Sequence, residues 1–318
     1  MSETKELPPV ESKGPLGEVN ERTSLVGSNR MEILLFSLGT SEVFGINVFK
    51  VREVTATPFI TKTPNMPAGV EGLISLRGHV VPVLSLGHAL GLTKGGELGG
   101  TMMVTEYSKR TMGFLVDSVD RIVRVEWDRV RTPDNVSGTG GYITAITELD
   151  NGVLVSILDV ETILSNTFGE ASVGSIPPIV GGHDYNVFYV DDSAVARRKI
   201  AEVLDKLGVR HKFATNGLEA WTRLDSLASF AKQSGRNLHD DIDVVLVDAE
   251  MPEMDGYVLS RKIKSDRRFE GIPVIMHSSL SSEANRAMGK QAGVDAYVAK
   301  FDGDVLAETL RSMLLRNA

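Results

Sequence analysis

Three aspartates follow two strand-like runs in the C-terminal half of this 318-residue chain. Asp191 and Asp192 come directly after the apolar run Asn186–Val190, and Asp248 follows the run Val244–Val247. In a doubly wound sheet, the carboxyl ends of the strands that flank the switch point share one crevice, so we expect these carboxylates to converge. Carboxylates this close repel one another unless a cation is present, and hard oxygen ligands of this number suit Mg²⁺. With the cation bound, Asp248 could act as a carboxylate nucleophile toward a phosphoryl group.

Two further polar side chains follow the later strand-like runs. Ser278 comes at the end of the run that begins at Pro273, and Lys300 follows the run Ala296–Ala299. A hydroxyl donor and an ammonium are what an aspartyl-phosphate needs on its remaining oxygens. Taken singly, each residue has a plainer explanation, as a helix-capping serine or a solvated lysine, and solvated aspartates are common at strand ends. Carboxylates, hydroxyl and lysine in this order at four strand ends favour a phosphoryl site.

The residues from 186 onward alternate between strand-like and helical patterns. Strands are predicted at Asn186–Val190, His211–Ala214, Val244–Val247, Pro273–Met276 and Ala296–Ala299, and helices after the N-cap Ser193 and near 217–233, 256–266, 282–291 and 304–315. This alternation predicts an α/β fold, a doubly wound five-stranded parallel sheet with intervening helices.

The N-terminal half has a different pattern of apolar and turn residues. Short, valine-rich runs separated by Gly, Pro and Asn turns fill residues 31–168 and predict β-structure. The pattern that begins at Gly45 returns at Gly113, and a second pattern that begins at Gly78 returns at Gly152. Chance among valine-rich strands is one explanation. Duplication is the better one, and it predicts two similar small β-barrels that pack against each other because each is too small to bury its own face.

Composition and charge limit the domain organisations and functions that are compatible with the chain. We expect a flexible tail over 1–30, a first domain over 31–168, a Pro/Gly-rich linker over 169–184 and a second domain over 185–318. The balance of 34 basic against 42 acidic residues argues against a nucleic-acid partner. The chain has no cysteine, which excludes disulfides and zinc-thiolate sites, and no apolar run approaches the ~20 residues of a membrane helix. These features predict a cytoplasmic protein without direct membrane insertion.

The C-terminal half, from about residue 184, resembles the receiver domain of two-component response regulators, which has a flavodoxin-like fold. The most specific part of the resemblance is the run Val247–Gly256, with the sequence VDAEMPEMDG, and the aspartates before it, Ser278 and Lys300 also match. The resemblance implies a protein that is not an enzyme in the usual sense, although a receiver can catalyse its own Mg²⁺-dependent phosphorylation and dephosphorylation.

The same resemblance implies a role for each matching residue. Asp248 is the implied phospho-acceptor, Lys300 the phosphate partner, and Ser278 with Tyr297 the switch pair. The implied Mg²⁺ ligands are Asp191, Asp192, Asp248 and the backbone carbonyl of Glu250.

Two residues depart from the receiver pattern. Phe301 stands where receivers usually carry a proline, often after a cis bond. A cis bond before a non-proline residue costs about 3 kcal/mol. The resemblance therefore does not define the geometry of the Lys300–Phe301 bond. Glu250 adds a side-chain carboxylate two residues after the acceptor, which could alter how long the phosphoryl group survives.

The first domain resembles the CheW coupling domain of bacterial chemotaxis, a double SH3-like barrel. The matching segments are FGINVFKVREV (44–54), GLISLRGHVVPV (72–83), which is the most specific, and GFLVDSV (113–119). The implied partners are the histidine kinase CheA and the cytoplasmic tips of chemoreceptors, the methyl-accepting chemotaxis proteins. Arg77 falls where the family's turn contributes to receptor contact, and a solvated turn arginine explains the residue about as well on physical grounds alone.

A CheW-like domain followed by a receiver is the arrangement of CheV-type coupling proteins. The resemblance predicts an adaptor that couples chemoreceptors to CheA at membrane-associated receptor arrays, with the coupling modulated by phosphorylation of Asp248. The alternative is a phosphate sink that drains phosphoryl groups from the kinase. A phosphoryl group on Asp248 would draw Ser278 inward and let the Tyr297 ring move. We therefore expect the face formed by residues 277–301 to contact the barrel domain in one state and to release it in the other.

Overall fold

The structure is a computed structural model, and a defined set of residues in it is described. These are residues 30–93, 100–107, 110–131, 141–169, 173–180, 183–279, 283–300 and 302–316. The expected tail, up to residue 29, and the geometry of the Lys300–Phe301 bond lie outside the described residues.

The N-terminal half is built from two β-sheets. Its elements are β1 (Arg30–Ser37), β2 (Val43–Asn47), β3 (Val51–Ala56), β4 (Val70–Leu76), β5 (His79–Ser85), α1 (Leu86–Ala89), β6 (Thr101–Tyr107), β7 (Arg110–Val116), β8 (Ser118–Glu126), β9 (Val130–Arg131), β10 (Ile143–Glu148), β11 (Leu154–Leu158) and α2 (Val160–Phe168). One sheet has the order β8-β1-β2-β11-β10-β9 and the other β3-β6-β7-β5-β4. The predicted β-rich first domain is confirmed.

The strand register shows the internal repeat directly. Parallel pairing places Ile157 of β11 opposite Gly45 of β2, and Val83 of β5 opposite Gly113 of β7. Gly45 and Gly113 are equivalent positions of one repeated pattern, and Val83 and Ile157 are equivalent positions of the other. Each sheet therefore joins one strand from the first copy to one strand from the second. The two copies exchange strands, which a repeat read along the chain does not reveal.

The largest buried cluster of this half lies between the two sheets. It draws on apolar side chains from both of them, among them Leu34, Phe36, Ile46, Leu84, Met103 and Phe114. Smaller clusters lie on the far side of each sheet. Because the main core is shared, neither sheet could bury its apolar face alone.

The C-terminal half is a single parallel sheet covered by helices. Its elements are β12 (Asn186–Val190), α3 (Ala194–Leu207), β13 (Arg210–Ala214), α4 (Gly217–Ser234), β14 (Val244–Asp248), α5 (Gly256–Ser265), β15 (Val274–Ser278), α6 (Glu283–Gln291), β16 (Ala296–Ala299) and α7 (Gly303–Arg316). The strand order β13-β12-β14-β15-β16 reverses direction at the β12/β14 pair, and all four pairings are parallel. The predicted doubly wound sheet is confirmed. Among the described residues, no helix combines the length and the apolarity needed to cross a bilayer.

The segment 173–180 between the two halves is docked on the second domain. Ile176 is buried in the core that α3 and α7 share with the sheet, and the Ile179 amide donates a 2.9 Å hydrogen bond to the Leu207 carbonyl. The prolines and glycines of this region predict a lack of regular structure, and they carry no signal for where an irregular segment packs.

The two equivalent glycines of the repeat allow a matched test of the packing. A Cβ at Gly45 would lie 2.5 Å from Ile33 Cγ2 and 3.0 Å from Val155 Cγ1, and both neighbours are buried and stiff at χ1. A Cβ at Gly113 would meet the flexible end of Met102, with Sδ at 2.7 Å. We expect Gly45→Ala to lower the free energy of unfolding by about 2 kcal/mol and Gly113→Ala by less than half as much, as measured by urea denaturation. Equal losses would contradict this packing.

Candidate functional site

Three carboxylates meet where the strand order reverses. Asp191 and Asp192 follow β12, and Asp248 is the last residue of β14. One oxygen from each lies within 4.8 Å of the other two. Asp191 and Asp248 are buried, whereas Asp192 is partly exposed. The structure thus brings together the three aspartates that the sequence singled out, at the edge where parallel strands open into a crevice.

The backbone on both sides of the crevice is held close to these aspartates. Arg197 of α3 reaches back and donates 2.8 Å hydrogen bonds from Nη1 to the carbonyls of Asp191 and Asp192. On the other side, a Cβ at Gly256 would collide with the Asp248 carbonyl. Only glycine therefore lets the start of α5 approach the end of β14 this closely.

Lys300 supplies the buried cation of the site. Its Nζ lies 2.9 Å from Asp191 Oδ2 and 3.0 Å from Asp248 Oδ2, and its side chain is 1% exposed. Burial by itself would lower the pKa of Lys300, but the surrounding carboxylates, Asp191 and Asp248 foremost, raise it well above its usual value. The ammonium is therefore charged and holds the ends of β12 and β14 together.

One ammonium does not offset three carboxylates. Burial, which disfavours the charged form, raises the pKa of Asp191 to about 8 and the pKa values of Asp192 and Asp248 to about 7. Lys300 opposes this shift, and the neighbouring carboxylates add to it. Three hard oxygen donors with an excess of negative charge at this spacing fit Mg²⁺.

The expected switch pair lies together at the neighbouring strand ends. Ser278 is the buried last residue of β15, and its side chain is hydrogen-bonded to the Tyr297 side chain of β16. The partly buried Tyr297 ring packs under the Arg286 guanidinium, 5.4 Å from the ring centroid. Tyr257 of α5 lies beside it. No role was expected for Tyr257, although it directly follows the Asp-Gly pair of the receiver-like run.

Glu250 lies in the loop between β14 and α5 and faces the first domain. With Asp192, it lines a cavity of about 20 Å³ whose other wall includes Asn47 and Lys50 from the first domain. A cavity of this size holds about one water molecule. The acceptor loop is therefore packed closely against the other half of the chain.

The first domain inserts a carboxylate into this site. Glu161 of α2 is buried, its Oε1 lies 3.6 Å from Lys300 Nζ, and it accepts a 3.1 Å hydrogen bond from Ser279 Oγ. Asp159 caps the helix by accepting a 2.9 Å hydrogen bond from the Thr162 amide, which orients the first turn. The sequence did not single out Glu161, because nothing local in its helix links it to the second domain.

Lys50 joins the same cluster from the 3₁₀ turn between β2 and β3. Its Nζ lies 3.9 Å from Glu161 Oε1. Burial opposes its charge, but Glu161 together with Glu250 and Asp192 of the second domain raises the pKa of Lys50 above its usual value. Besides Tyr257, sequence reasoning thus missed the two charges that the first domain contributes.

Arg77 lies outside this cluster. It occupies the hairpin turn between β4 and β5, with a largely exposed side chain that pairs with Glu53 of β3.

Two family profiles match the two halves of the chain. The CheW-like domain matches residues 32–168, and the response regulator receiver domain matches residues 187–311. Chemotaxis protein CheV3 of Helicobacter pylori is 31% identical over 283 residues, which cover 87% of this chain and 90% of that protein. The chain belongs to the CheV family. CheV2 of the same bacterium is 26% identical over 320 residues, covering 93% and 99% of the two chains.

Among solved structures, the chain is similar to the scaffolding protein TtCheW of Thermoanaerobacter tengcongensis, with 26% identity, a TM-score of 0.40 and coverage of 44% of this chain and 95% of that one. Like the CheV proteins that it matches, the chain is a chemotaxis signalling protein with a CheW-like domain followed by a receiver domain.

Asp248→Asn tests the crowding of the carboxylates. The folded-state pKa of Asp248, about 7, exceeds the unfolded value of 3.8, so its ionisation weakens the fold as pH rises toward 7. At pH 8 in chelator, we expect the neutral variant to be more stable than the wild type by about 1–3 kcal/mol in urea denaturation. Added Mg²⁺ should stabilise the wild type and not the variant. Asp205→Asn, at an exposed position of α3, is the control. An Asp248→Asn protein that is less stable than the wild type would contradict the crowding of carboxylates at Asp248.

Proposed function

We propose that this CheV-family protein is an adaptor that couples chemoreceptors to the histidine kinase CheA, and that phosphorylation of Asp248 modulates the coupling. The observation that carries the proposal is the buried Asp248 carboxylate, 3.0 Å from Lys300, on the same chain as a CheW-like domain. A coupling domain alone needs no such site, and a receiver alone needs no coupling domain. Recruitment from the cytoplasm to receptor arrays follows from these partners.

The phosphoryl transfer requires one nucleophile and a set of groups for the incoming oxygens. An Asp248 carboxylate oxygen attacks the phosphorus of a phosphohistidine on the kinase, the new O–P bond forms, and the P–N bond breaks with its electron pair left on the imidazole, which takes up a proton. Lys300 and the Ser278 hydroxyl hold the transferred oxygens. Mg²⁺, when bound, neutralises their charge, and its ligands would be Asp191, Asp192, Asp248 and the Glu250 backbone carbonyl.

The signal leaves the site through Ser278. In the unphosphorylated protein, its side chain is hydrogen-bonded to Tyr297. A phosphoryl group adds up to about two negative charges and three acceptor oxygens, so it draws the hydroxyl toward Asp248 and releases Tyr297. The ring can then change its packing against Arg286 and Tyr257, on the face of the receiver that lies next to the strand ends.

A phosphate sink is less well supported. A sink must accept and release phosphoryl groups rapidly, so its acceptor should be open to the kinase and to water. Here Asp248 is 3% exposed, and Glu161 of the first domain shares its ammonium. Such an arrangement favours an acceptor whose state is sensed by the coupling domain.

Labelled phosphate tests the adaptor proposal and separates it from the sink. We expect Asp248→Asn to lose incorporation from phosphorylated CheA, to keep receptor-dependent activation of the kinase, and to lose the change in activation that phosphodonor causes in the wild type. Asp205→Asn should behave as the wild type does. Undiminished labelling of Asp248→Asn would contradict the acceptor assignment, and kinase activation that phosphorylation never alters would favour the sink.

The geometry at Arg77 supports a surface role for this residue. Arg77 has φ +51° and Gly78 has φ +82°, so both central residues of the hairpin turn are in the left-handed region, where asparagine followed by glycine is the favoured pair. An arginine there costs about 1 kcal/mol relative to residues that tolerate this conformation. A strained residue with a side chain 72% exposed is explained by a partner outside the chain, and we assign that partner as the chemoreceptor.

Arg77→Asn separates stability from coupling. We expect the variant to be as stable as the wild type, or more stable by up to about 1 kcal/mol, because asparagine suits the turn and an exposed ion pair contributes little. Receptor-dependent kinase activation should nevertheless fall several-fold, measured in reconstituted receptor complexes. Arg121→Gln, at another exposed arginine of the same domain, is the control. Activation that is unchanged, or that falls equally in both variants, would return Arg77 to the role of a solvated turn residue.

A further inference from the structure

Glu161 and the phospho-acceptor share one cation. Lys300 Nζ lies 3.0 Å from Asp248 Oδ2 and 3.6 Å from Glu161 Oε1, and the Glu161 side chain is 2% exposed. Burial works to raise the pKa of Glu161, but Lys300 and Lys50 hold it below the usual value. An ionised carboxylate of the first domain therefore lies in the middle of the receiver site.

This carboxylate already has the kinds of partner that a phosphoryl group on Asp248 requires. Such a group needs an ammonium and a strand-end hydroxyl for its oxygens. Glu161 Oε1 lies beside the Lys300 ammonium and accepts a 3.1 Å hydrogen bond from Ser279 Oγ, directly after β15. A doubly charged group and a carboxylate at the same ammonium repel each other strongly in a buried site, where water screens little. Both cannot hold these donors at once.

Glu161 cannot withdraw on its own. Val160, Ile163 and Leu164 of α2 are part of the main core of the first domain, and the Asp159 cap fixes the first turn of the helix. The helix also packs against α3 of the second domain. Removing the carboxylate from the site therefore requires the first domain to move away from the receiver.

Lys50 makes the unphosphorylated contact complementary in charge. It is partly buried beside Glu161 and faces Asp192 and Glu250, two carboxylates of the receiver. The first domain thus presents an anion to Lys300 and a cation to the receiver's carboxylates. Two oppositely charged groups on one rigid domain recognise one relative placement of the two domains.

From these contacts we infer that the CheW-like domain closes the receiver site, with Glu161 in place of the phosphoryl oxygens, so that phosphorylation of Asp248 and docking of α2 exclude each other. The inference rests on the proposed function, in which Asp248 is the acceptor. It names Glu161 as the group through which the coupling domain senses phosphorylation. By linkage, whatever holds α2 away from the receiver favours the phosphorylated form, and the phosphorylated form exposes α2 and its surroundings.

The test uses the full-length protein and two readouts. One is hydrogen exchange over residues 160–168, with Mg²⁺ and with or without beryllofluoride as the phosphoryl mimic. The other is the initial rate of labelling by a small acyl phosphate, in which Asp248 attacks phosphorus and the carboxylate of the donor leaves with the electron pair. We expect beryllofluoride to speed exchange over 160–168 in the wild type, and Glu161→Gln to exchange fast without it and to label about tenfold faster.

Variants on the two sides of the contact control for folding. Ser279→Ala removes the receiver's hydrogen bond to Glu161 and should change both readouts in the same direction, by less. Glu32→Gln alters another buried glutamate of the first domain, which lies away from the site and pairs with Arg124 at a distance of 2.7 Å. This variant should change neither the exchange rate nor the labelling rate.

Three results would each overturn either the closure of the site or the proposed function, and they are distinguishable. Labelling of Glu161→Gln at the wild-type rate, with Asp248 as the labelled residue, would overturn the closure and leave the proposed function standing. Slower exchange over 160–168 with beryllofluoride would also overturn the closure and leave the proposed function standing. Such a result would mean that Lys50 binds the phosphoryl group and tightens the contact between the domains. Labelling that persists in Asp248→Asn would instead overturn the proposed function.

Discussion

The buried ammonium of Lys300 is the charge on which both domains depend. It lies within 3.6 Å of carboxylates at the ends of β12 and β14 and on α2 of the first domain. Removing the ammonium from such a cluster costs about 3–5 kcal/mol, because the carboxylates that remain stay buried without compensation. The carboxylates nevertheless outnumber the cations, so the cluster is not at an electrostatic optimum. A site of this kind holds the fold together and still responds when a cation or a phosphoryl group changes the balance.

The strand-end residues could be predicted because their positions follow from periodicity and topology. Five strand-like runs separated by helical patterns define a parallel sheet, and a parallel sheet collects whatever follows its strands at one edge. The positions at the ends of these runs predicted the site residues, which are Asp191, Asp192, Asp248, Ser278 and Lys300. The fold of the second domain and the composition of its site were therefore accessible from the order of residues alone.

Contacts between the domains could not be predicted in this way. Glu161 and Lys50 reach the site through the relative placement of two domains, which no local pattern encodes, and the docking of Ile176 on the second domain is of the same kind. Periodicity reports which face of an element is buried, and it does not report what buries it.

The duplication in the first domain explains why the contact is specific. Asp159 and its equivalent in the other copy, Ser85, both cap a helix by accepting from the amide three residues later, so the two ends of the domain share a backbone design. The charges differ. The position equivalent to Glu161 is Gly87 and the position equivalent to Lys50 is the exposed Ser118, so only one end can satisfy Lys300 and the receiver's carboxylates. A symmetric scaffold thus presents to its own receiver the one end at which Lys50 of one copy lies beside Glu161 of the other.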